Sequence, residues 1–125
     1  MVEQRHHVIL VDPHAEAPFR PVTWDGSLET LYTLLSGPDG LVSAVDAVAL
    51  TADGDTLYVD DEGLFKAPTG WILLRDAGQP FAGLGLIAGT DAAGGPRDPA
   101  RVTLDWCRAH LKTATTAPGV LPEPG

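Results

Sequence analysis

Residues 57–91 read LYVDDEGLFKAPTGWILLRDAGQPFAGLGLIAGTD and contain the strongest strand pattern in the chain. The β-branched and aromatic run at 57–59 ends in acidic residues and Gly63, a composition typical of a tight turn that needs a positive φ. Trp71–Leu74 is a continuous apolar run between turn-forming residues, which predicts a strand buried on both faces. We therefore expect a strand, an acidic turn and two further strands in this region.

The last of these strands has glycines at fixed offsets. Gly83, Gly85 and Gly89 fall on one face because successive side chains of a strand alternate, while Leu84 and Leu86 fall on the other. A face without side chains indicates the close approach of another backbone, a helix or a large aromatic ring. The spacing does not favour a phosphate-binding loop, because such a loop follows a strand and begins a helix.

Two strands are predicted near the start of the chain. Residues 7–12 form an apolar run stopped by a proline, which predicts an interior strand. Residues 19–24 alternate as a half-buried strand does, but Pro18 and Pro21 confine this strand to an edge of the sheet. We expect Trp24 to face inward.

A helix and a hairpin are predicted next. Apolar residues recur at helical spacing after a capping Ser27, and the pattern ends at Gly37, which a proline follows. Residues 44–50 and 56–59 then predict two strands that pair antiparallel, because residues 52–55, ADGD, are typical of a hairpin turn.

A second helix is predicted after a loop at residues 90–97. Asp98 is a typical N-cap and Pro99 suits the first helical position, so the sequence predicts a helix from there to about Lys112. Its apolar residues cover more than half of its circumference. We therefore expect it either to pack between the sheet and the tail or to form a homodimer contact. Residues 113–125, rich in Pro, Gly and Thr, predict a disordered tail.

Length and composition predict one soluble, cytoplasmic domain at residues 1–112. A chain of 125 residues with 44% apolar residues can form one core, and its apolar runs are too short to span a membrane. Its 17 acidic and 8 basic residues give a net charge of −9, which opposes direct binding to a nucleic-acid backbone. Cys107 is the only cysteine, so no internal disulfide forms.

The candidate binding site consists of acidic residues in the predicted turns. We expect the five acids, which two hairpin turns carry, to form an electrostatic docking surface. The candidate binding residues are Asp53, Asp55, Asp60, Asp61, Glu62, Lys66 and Asp91. The alternatives are two ordinary solvated turns, or a calcium or magnesium site in which the acids meet at one end of a hairpin, although the order of the acids differs from that of a calcium loop.

Cys107 and His110 lie three residues apart on the predicted second helix, so they share a face. A metal site or a Cys–His nucleophile pair would use this geometry, but two ligands do not make a metal site. The other histidines, His6, His7 and His14, belong to a distant strand end. We therefore expect no metal, no cofactor and no catalytic residue.

Two motifs resemble a family of small uncharacterised domains encoded by bacteria, phages and plasmids. They are YVDDEGLFK at 58–66 and QPFAGLGLIAGTD at 79–91, preceded by the amphipathic segment DGSLETLYTLLSG. The similarity covers residues 8–110 and is carried by the acidic turn, the glycine spacing and Asp91. It implies a shared small α+β fold. The family has no assigned activity, so no site residue is transferred from it.

The sequence as a whole predicts an α+β fold, with a mainly antiparallel, twisted sheet of five or six strands and two helices. The function that we expect first is a non-enzymatic module that binds a protein or a small ligand. One alternative is a phage- or plasmid-type inhibitor that docks on a host protein through its acidic surface. The other is a small hydrolase-like enzyme that uses the carboxylates of the acidic turn.

Overall fold

A computed structural model describes residues 5–75 and 80–115, and within these ranges the chain forms two α-helices, one 3-10 helix and nine strands. The strands are β1 His6–Val11, β2 Phe19–Trp24, β3 Val45–Ala49, β4 Thr56–Asp60, β5 Trp71–Leu74, β6 Phe81–Ala82, β7 Gly85–Thr90, β8 Pro96–Arg97 and β9 Leu111–Ala114. The α-helices are α1 Leu28–Leu35 and α2 Leu104–His110, and the 3-10 helix spans Gly63–Phe65.

The strands form two antiparallel sheets. The large sheet has the order β2-β1-β7-β4-β3, and β8 also pairs with β7. The small sheet has the order β6-β5-β9. The predicted α+β class, with a mainly antiparallel sheet and two helices, is confirmed; the small sheet was not predicted.

The large sheet separates two hydrophobic cores. Alternation sends Leu10 and Leu86 toward α1, where they pack with Leu31. It sends Ile9 and Ile87 toward the small sheet and α2. Because β1 and β7 are covered on both faces, their sequences read as continuous apolar runs rather than as alternating ones.

The first part of the chain folds as predicted. β2 is an edge strand, and Trp24 is buried and donates its indole N–H to the Ser27 carbonyl at 2.9 Å. Ser27 is the N-cap of α1, with its hydroxyl oxygen accepting from Thr30 N at 3.1 Å. β3 and β4 form the predicted antiparallel hairpin, with Ala47 opposite Tyr58.

The acidic turn is not the hairpin turn that the sequence predicted. After β4 the chain enters the 3-10 helix and leaves the large sheet, and β5 pairs with β6 and β9 instead. Gly63 has no positive φ. A glycine suits this position for a different reason, because a Cβ there would lie 2.8 Å from the Ala82 carbonyl oxygen.

The predicted strand at 81–89 is wrong as a single element. Gly83 has a φ of +89°, and there the chain turns out of the small sheet and into the large one. The predicted close approach of a backbone is confirmed at Gly89, which faces the Asp98 carbonyl oxygen, but not at Gly83. Gly85 is also closely packed, but by aliphatic side chains, since a Cβ there would lie 2.7 Å from Leu57 Cδ1 and 2.9 Å from Ile72 Cδ1.

The predicted boundaries of the second helix are wrong at both ends. Thr103 caps α2, whereas the Asp98 carboxylate accepts from His7 N at 2.8 Å. The helix ends at His110, and Leu111–Ala114 forms β9, which pairs with β5. The predicted disordered tail therefore begins inside a strand, and residues 116–125 lie outside the described part of the chain. The predicted loop at 90–97 contains β8.

Candidate functional site

The predicted acidic residues do not meet at one end of a hairpin. Because β3 and β4 are antiparallel, the turn at 51–55 lies at one end of β4, and Asp60 with the 3-10 helix lies at the other. Five residues of strand separate the two ends by about 17 Å. The expectation of a single surface made from all five acids is therefore wrong.

Asp55 is buried and acts inside the fold. Its carboxylate accepts from the backbone amides of Ala100 at 2.6 Å, Arg101 at 2.6 Å and Val102 at 2.8 Å. Burial raises the pKa of Asp55, but these three hydrogen bonds and the positive charge of Arg97 outweigh it, so the pKa lies below its ordinary value. The residue holds the segment that leads into α2 and offers nothing to a partner.

Two further candidates, Asp53 and Asp91, also make contacts within the fold. Asp53 accepts from Arg101 Nε at 2.7 Å. Asp91 closes its own turn, with Oδ1 accepting from Ala93 N at 3.0 Å and from Gly95 N at 2.7 Å. Both residues belong to the end of the sheet that Asp55 organises.

At the opposite end, Asp60 and Lys66 form a partly buried ion pair. Lys66 Nζ lies 2.7 Å from Asp60 Oδ2 and also donates to the Leu41 carbonyl. Asp60 Oδ1 accepts from Glu62 N at 2.9 Å. Since the charge of Lys66 is engaged by Asp60, it does not offset the two exposed acids that follow in sequence, Asp61 and Glu62.

Asp61 forms a close carboxyl pair with Asp46 of β3. In its protonated form the Asp61 carboxyl donates a hydrogen bond to Asp46, and this bond, together with the repulsion of Asp46 and then of Glu62 and Asp60, raises the pKa of Asp61. Asp46 and Asp61 are both exposed. Sequence reasoning missed Asp46, because its approach depends on the register of the hairpin, in which Asp61 N donates to the Ala44 carbonyl at 3.0 Å.

A cavity of about 110 Å³ lies beside this pair. Asp46 and Asp61 stand on its rim, and Val59, Leu64 and Phe81 contribute apolar walls. The arrangement suits a long side chain with an apolar stem and a positive head, because each part meets matching surface.

Large apolar side chains are exposed around the same end of the molecule. Leu41 is 83% exposed, Leu64 52% and Phe65 89%. Leu41 belongs to this group because its carbonyl accepts from Lys66, the residue after Phe65. We call this surface the acidic–apolar end. It consists of Leu41, Asp46, Asp61, Glu62, Leu64 and Phe65.

The cysteine–histidine pair does not form a site. Cys107 is fully buried, and burial raises the pKa of its thiol to about 12. The His110 ring is exposed and stacks on Trp106 with ring centroids 4.3 Å apart. Within residues 5–75 and 80–115, no three His, Cys, Asp or Glu side chains come together in a group able to hold a metal.

Comparison with known proteins returned no matching protein family, characterised protein or solved structure. The resemblance to small phage- and plasmid-encoded domains therefore stays a prediction. No helix in the described part of the chain is both long and apolar enough to cross a membrane.

Proposed function

We propose that this chain is a non-enzymatic protein-interaction module that binds a basic partner through the acidic–apolar end. The observation that carries the proposal is the 89% exposure of Phe65 on a short helix that follows Asp61 and Glu62 directly. Phenylalanine is among the residues most often buried, and full burial of its side chain contributes about 1.5–3 kcal/mol. A partner that covers Phe65 gains that contribution.

The neighbouring residues support an interface rather than a single exposed side chain. Leu41 and Leu64 extend the apolar surface around Phe65. Aromatic anchors supply much of the binding energy of protein interfaces, while rim charges act mainly on the association rate and on the choice of partner. Asp61 and Glu62 are placed as such rim charges, and they favour a partner with Lys or Arg at the matching positions.

A protein partner is favoured over a small ligand. The cavity beside Asp46 and Asp61, at about 110 Å³, is well below the roughly 300–1,000 Å³ of typical ligand pockets. The net charge of −9 opposes nucleic acid and favours a basic protein surface. The inhibitor hypothesis is a special case of this proposal, in which the basic partner is a host protein.

A carboxylate-based hydrolase is the second candidate, and the Asp46–Asp61 pair favours it. Two neighbouring carboxyls at one cavity, one of them with a raised pKa, are the kind of pair used in general acid and base catalysis. Its test is hydrolysis of chromogenic ester and phosphate substrates by the wild type and by the Asp46→Asn, Asp61→Asn double variant. Hydrolysis that depends on the pair would favour this candidate over the interaction module.

The interaction module is tested by removing the acidic–apolar end. In the test variant, Asp61→Asn, Glu62→Gln and Phe65→Ser are combined. The matched control combines Glu16→Gln, Glu29→Gln and Leu28→Ser, since these three residues are also exposed and the change in charge is the same. Both proteins and the wild type are used to capture partners from a bacterial extract at low and high salt, and the affinity of each captured partner is then measured with purified protein.

We expect a partner that binds the wild type and the control, is lost with the test variant and binds more weakly at high salt. If the three proteins bind the same partners equally at both salt concentrations, the acidic–apolar end is ordinary surface and the proposal is wrong.

A further inference from the structure

β3 forms one edge of the large sheet, and no residue in the described part of the chain pairs with its outer side. Leu50 N donates to the Asp55 carbonyl at 2.8 Å, and Asp61 N donates to the Ala44 carbonyl at 3.0 Å. With this register, the even-numbered residues of β3 exchange hydrogen bonds with β4, because bonded and non-bonded pairs alternate in an antiparallel ladder. The N–H and C=O groups of Val45, Ala47 and Ala49 therefore point away from the sheet.

The other edge of the large sheet, formed by β2, is protected against pairing with an added strand, whereas β3 is not. Asp12 N donates to the Pro18 carbonyl at 2.8 Å, so the same alternation places the backbone groups of Phe19, Pro21 and Thr23 on the outer side of β2. Pro21 has no N–H to offer there, and α2 packs against β2. β3 has no proline and no lysine, and its outer residues Ala47 and Ala49 are small and exposed.

The charges beside β3 select the occupant of this edge. Asp46 and Asp61 stand on the rim of the cavity next to the strand, and Val59 and Phe81 line its wall. A Lys or Arg side chain from an added strand would lay its apolar stem on that wall and place its charge between the two carboxyls. A second copy of this chain is a poor occupant, because it would bring another net charge of −9 to the same edge.

We propose that β3 binds an extended, basic peptide segment as an additional strand of the large sheet, with one basic side chain in the cavity beside Asp46 and Asp61. This proposal rests on the proposed function and names how the partner is recognised. In strand addition, main-chain hydrogen bonds supply affinity, and pockets for alternate side chains supply specificity. The outward-facing backbone groups of β3 can make the main-chain hydrogen bonds, and the adjoining acidic cavity is a pocket for one side chain.

The test uses a defined probe, an acetylated and amidated peptide in which valine alternates with lysine and threonine. Two control peptides have glutamate in place of lysine, or N-methyl groups on the amides that would face β3. Binding is followed by changes in the amide NMR shifts of the ¹⁵N-labelled wild type. We expect the shifts to centre on Val45, Ala47 and Ala49, and each control peptide to bind at least about tenfold more weakly.

Variants of the chain separate the two parts of the recognition. Ala47→Pro removes an outward-facing N–H without removing a bond to β4, and Ala47→Thr is its control because threonine keeps that N–H. Asp46→Asn with Asp61→Asn removes the acidic rim. We expect about tenfold weaker peptide binding for Ala47→Pro and for the double variant, and no change for Ala47→Thr. If Ala47→Pro does not fold, the N-methylated peptide tests the same point on the wild type.

The inference is overturned if the N-methylated peptide binds as well as the parent peptide, or if the shifts do not include β3. A dimer of the wild type that Ala47→Pro abolishes, seen by analytical ultracentrifugation without peptide, would also overturn it in favour of self-pairing. If Ala47→Pro keeps a partner that the Phe65→Ser combination loses, strand addition fails and the proposed function stands. If neither variant affects the partner, both fail.

Discussion

Single residues decide how the carboxylates of this chain are used. Asp55 is a buried acceptor for three backbone amides, and it thereby ties the turn after β3 to the segment that leads into α2. Asp61, only six positions further on, is exposed and faces another carboxyl. The two environments shift the pKa in opposite directions, because amide donors favour the charged form and a neighbouring carboxylate disfavours it.

The first prediction at this scale concerns Asp55→Asn. An asparagine can accept fewer hydrogen bonds than a carboxylate, and its amide N–H groups would face the backbone N–H groups of residues 100–102. We expect a loss of about 2–4 kcal/mol in the free energy of unfolding, measured with urea at pH 7. Asp53→Asn is the control, since its exposed pair with Arg101 contributes at most about 1 kcal/mol.

The wild type and Asp55→Asn also differ in how their stability depends on pH. Because the pKa of Asp55 is lowered in the folded state, its contribution is fully present above the unfolded value of about 3.9 and is lost as the pH falls through the folded value. The difference in stability between wild type and Asp55→Asn should therefore shrink when unfolding is repeated near pH 3. The role assigned to Asp55 would be contradicted if Asp55→Asn lowered the free energy of unfolding equally at pH 7 and pH 3. It would also be contradicted if Asp55→Asn and Asp53→Asn lost the same free energy of unfolding at pH 7.

Among the elements, those with local signals were predicted and those that depend on distant contacts were not. α1 was predicted because its cap and its apolar face lie within ten residues. β9 was missed because Leu111 continues the apolar pattern of α2 and Thr113 begins the Pro, Gly and Thr-rich tail, and only pairing with β5 makes these residues a strand. α2 was predicted to begin at Asp98, a good N-cap in isolation, but that carboxylate accepts from His7 N, far away in sequence.

In the candidate site, too, residues with local signals were predicted and residues that depend on distant contacts were not. Asp61 and Glu62 were predicted and are exposed, because acidic residues next to a glycine favour a surface turn. Asp46 was not predicted, since its contact with Asp61 follows from the hairpin register. Asp55 was assigned to the surface although it is buried, because its donors lie more than forty positions later in the chain.

β7 is the element on which the second prediction rests. This strand lies between the two cores, and Gly85 is where side chains from β4 and β5 approach its backbone. Gly85→Val would place new methyl groups where a Cβ alone would already lie 2.7 Å from Leu57 Cδ1. We expect a loss of about 1–3 kcal/mol or more in the free energy of unfolding, because overpacking forces neighbouring side chains and backbone to shift.

The control for this prediction is Ala47→Val on the exposed side of β3. It also introduces a β-branched residue into a strand of the large sheet, but at an exposed position whose directly opposite residue is Tyr58 of β4, so we expect a change within about 0.5 kcal/mol. The free energies of unfolding of Gly85→Val, Ala47→Val and the wild type are compared by urea unfolding. If Gly85→Val unfolds with the same midpoint as the wild type, the contact between the two sheets at this point is not close-packed.

At the scale of the whole molecule, acidic charge is in excess and several of the basic groups are already engaged. The chain has 17 acidic and 8 basic residues. Lys66, Arg101 and Arg108 each pair with an aspartate, and Arg97 donates to backbone carbonyls. The remaining acids repel one another, and the Asp46–Asp61 pair concentrates that repulsion at the acidic–apolar end. The charge that would attract a basic partner therefore destabilises the free protein.

The last prediction follows from this balance. Because the pKa of Asp61 is raised in the folded state, the ionised form is disfavoured there, and stability falls as the pH rises through the range between the unfolded and folded values. Asp61→Asn removes the carboxyl on which this repulsion acts, so it should raise the melting temperature at pH 7, and near pH 3 it should leave the melting temperature unchanged. Added salt screens the same repulsion, so the melting temperature of the wild type should rise between about 10 mM and 150 mM NaCl, and that of the variant should rise less.

Asp105→Asn is the control, because Asp105 is also exposed but pairs with Arg108, and its removal should not stabilise the fold. A melting temperature that falls with salt, or an equal effect of the two substitutions, would mean that surface ion pairs and not repulsion between acids govern the charge dependence of this protein.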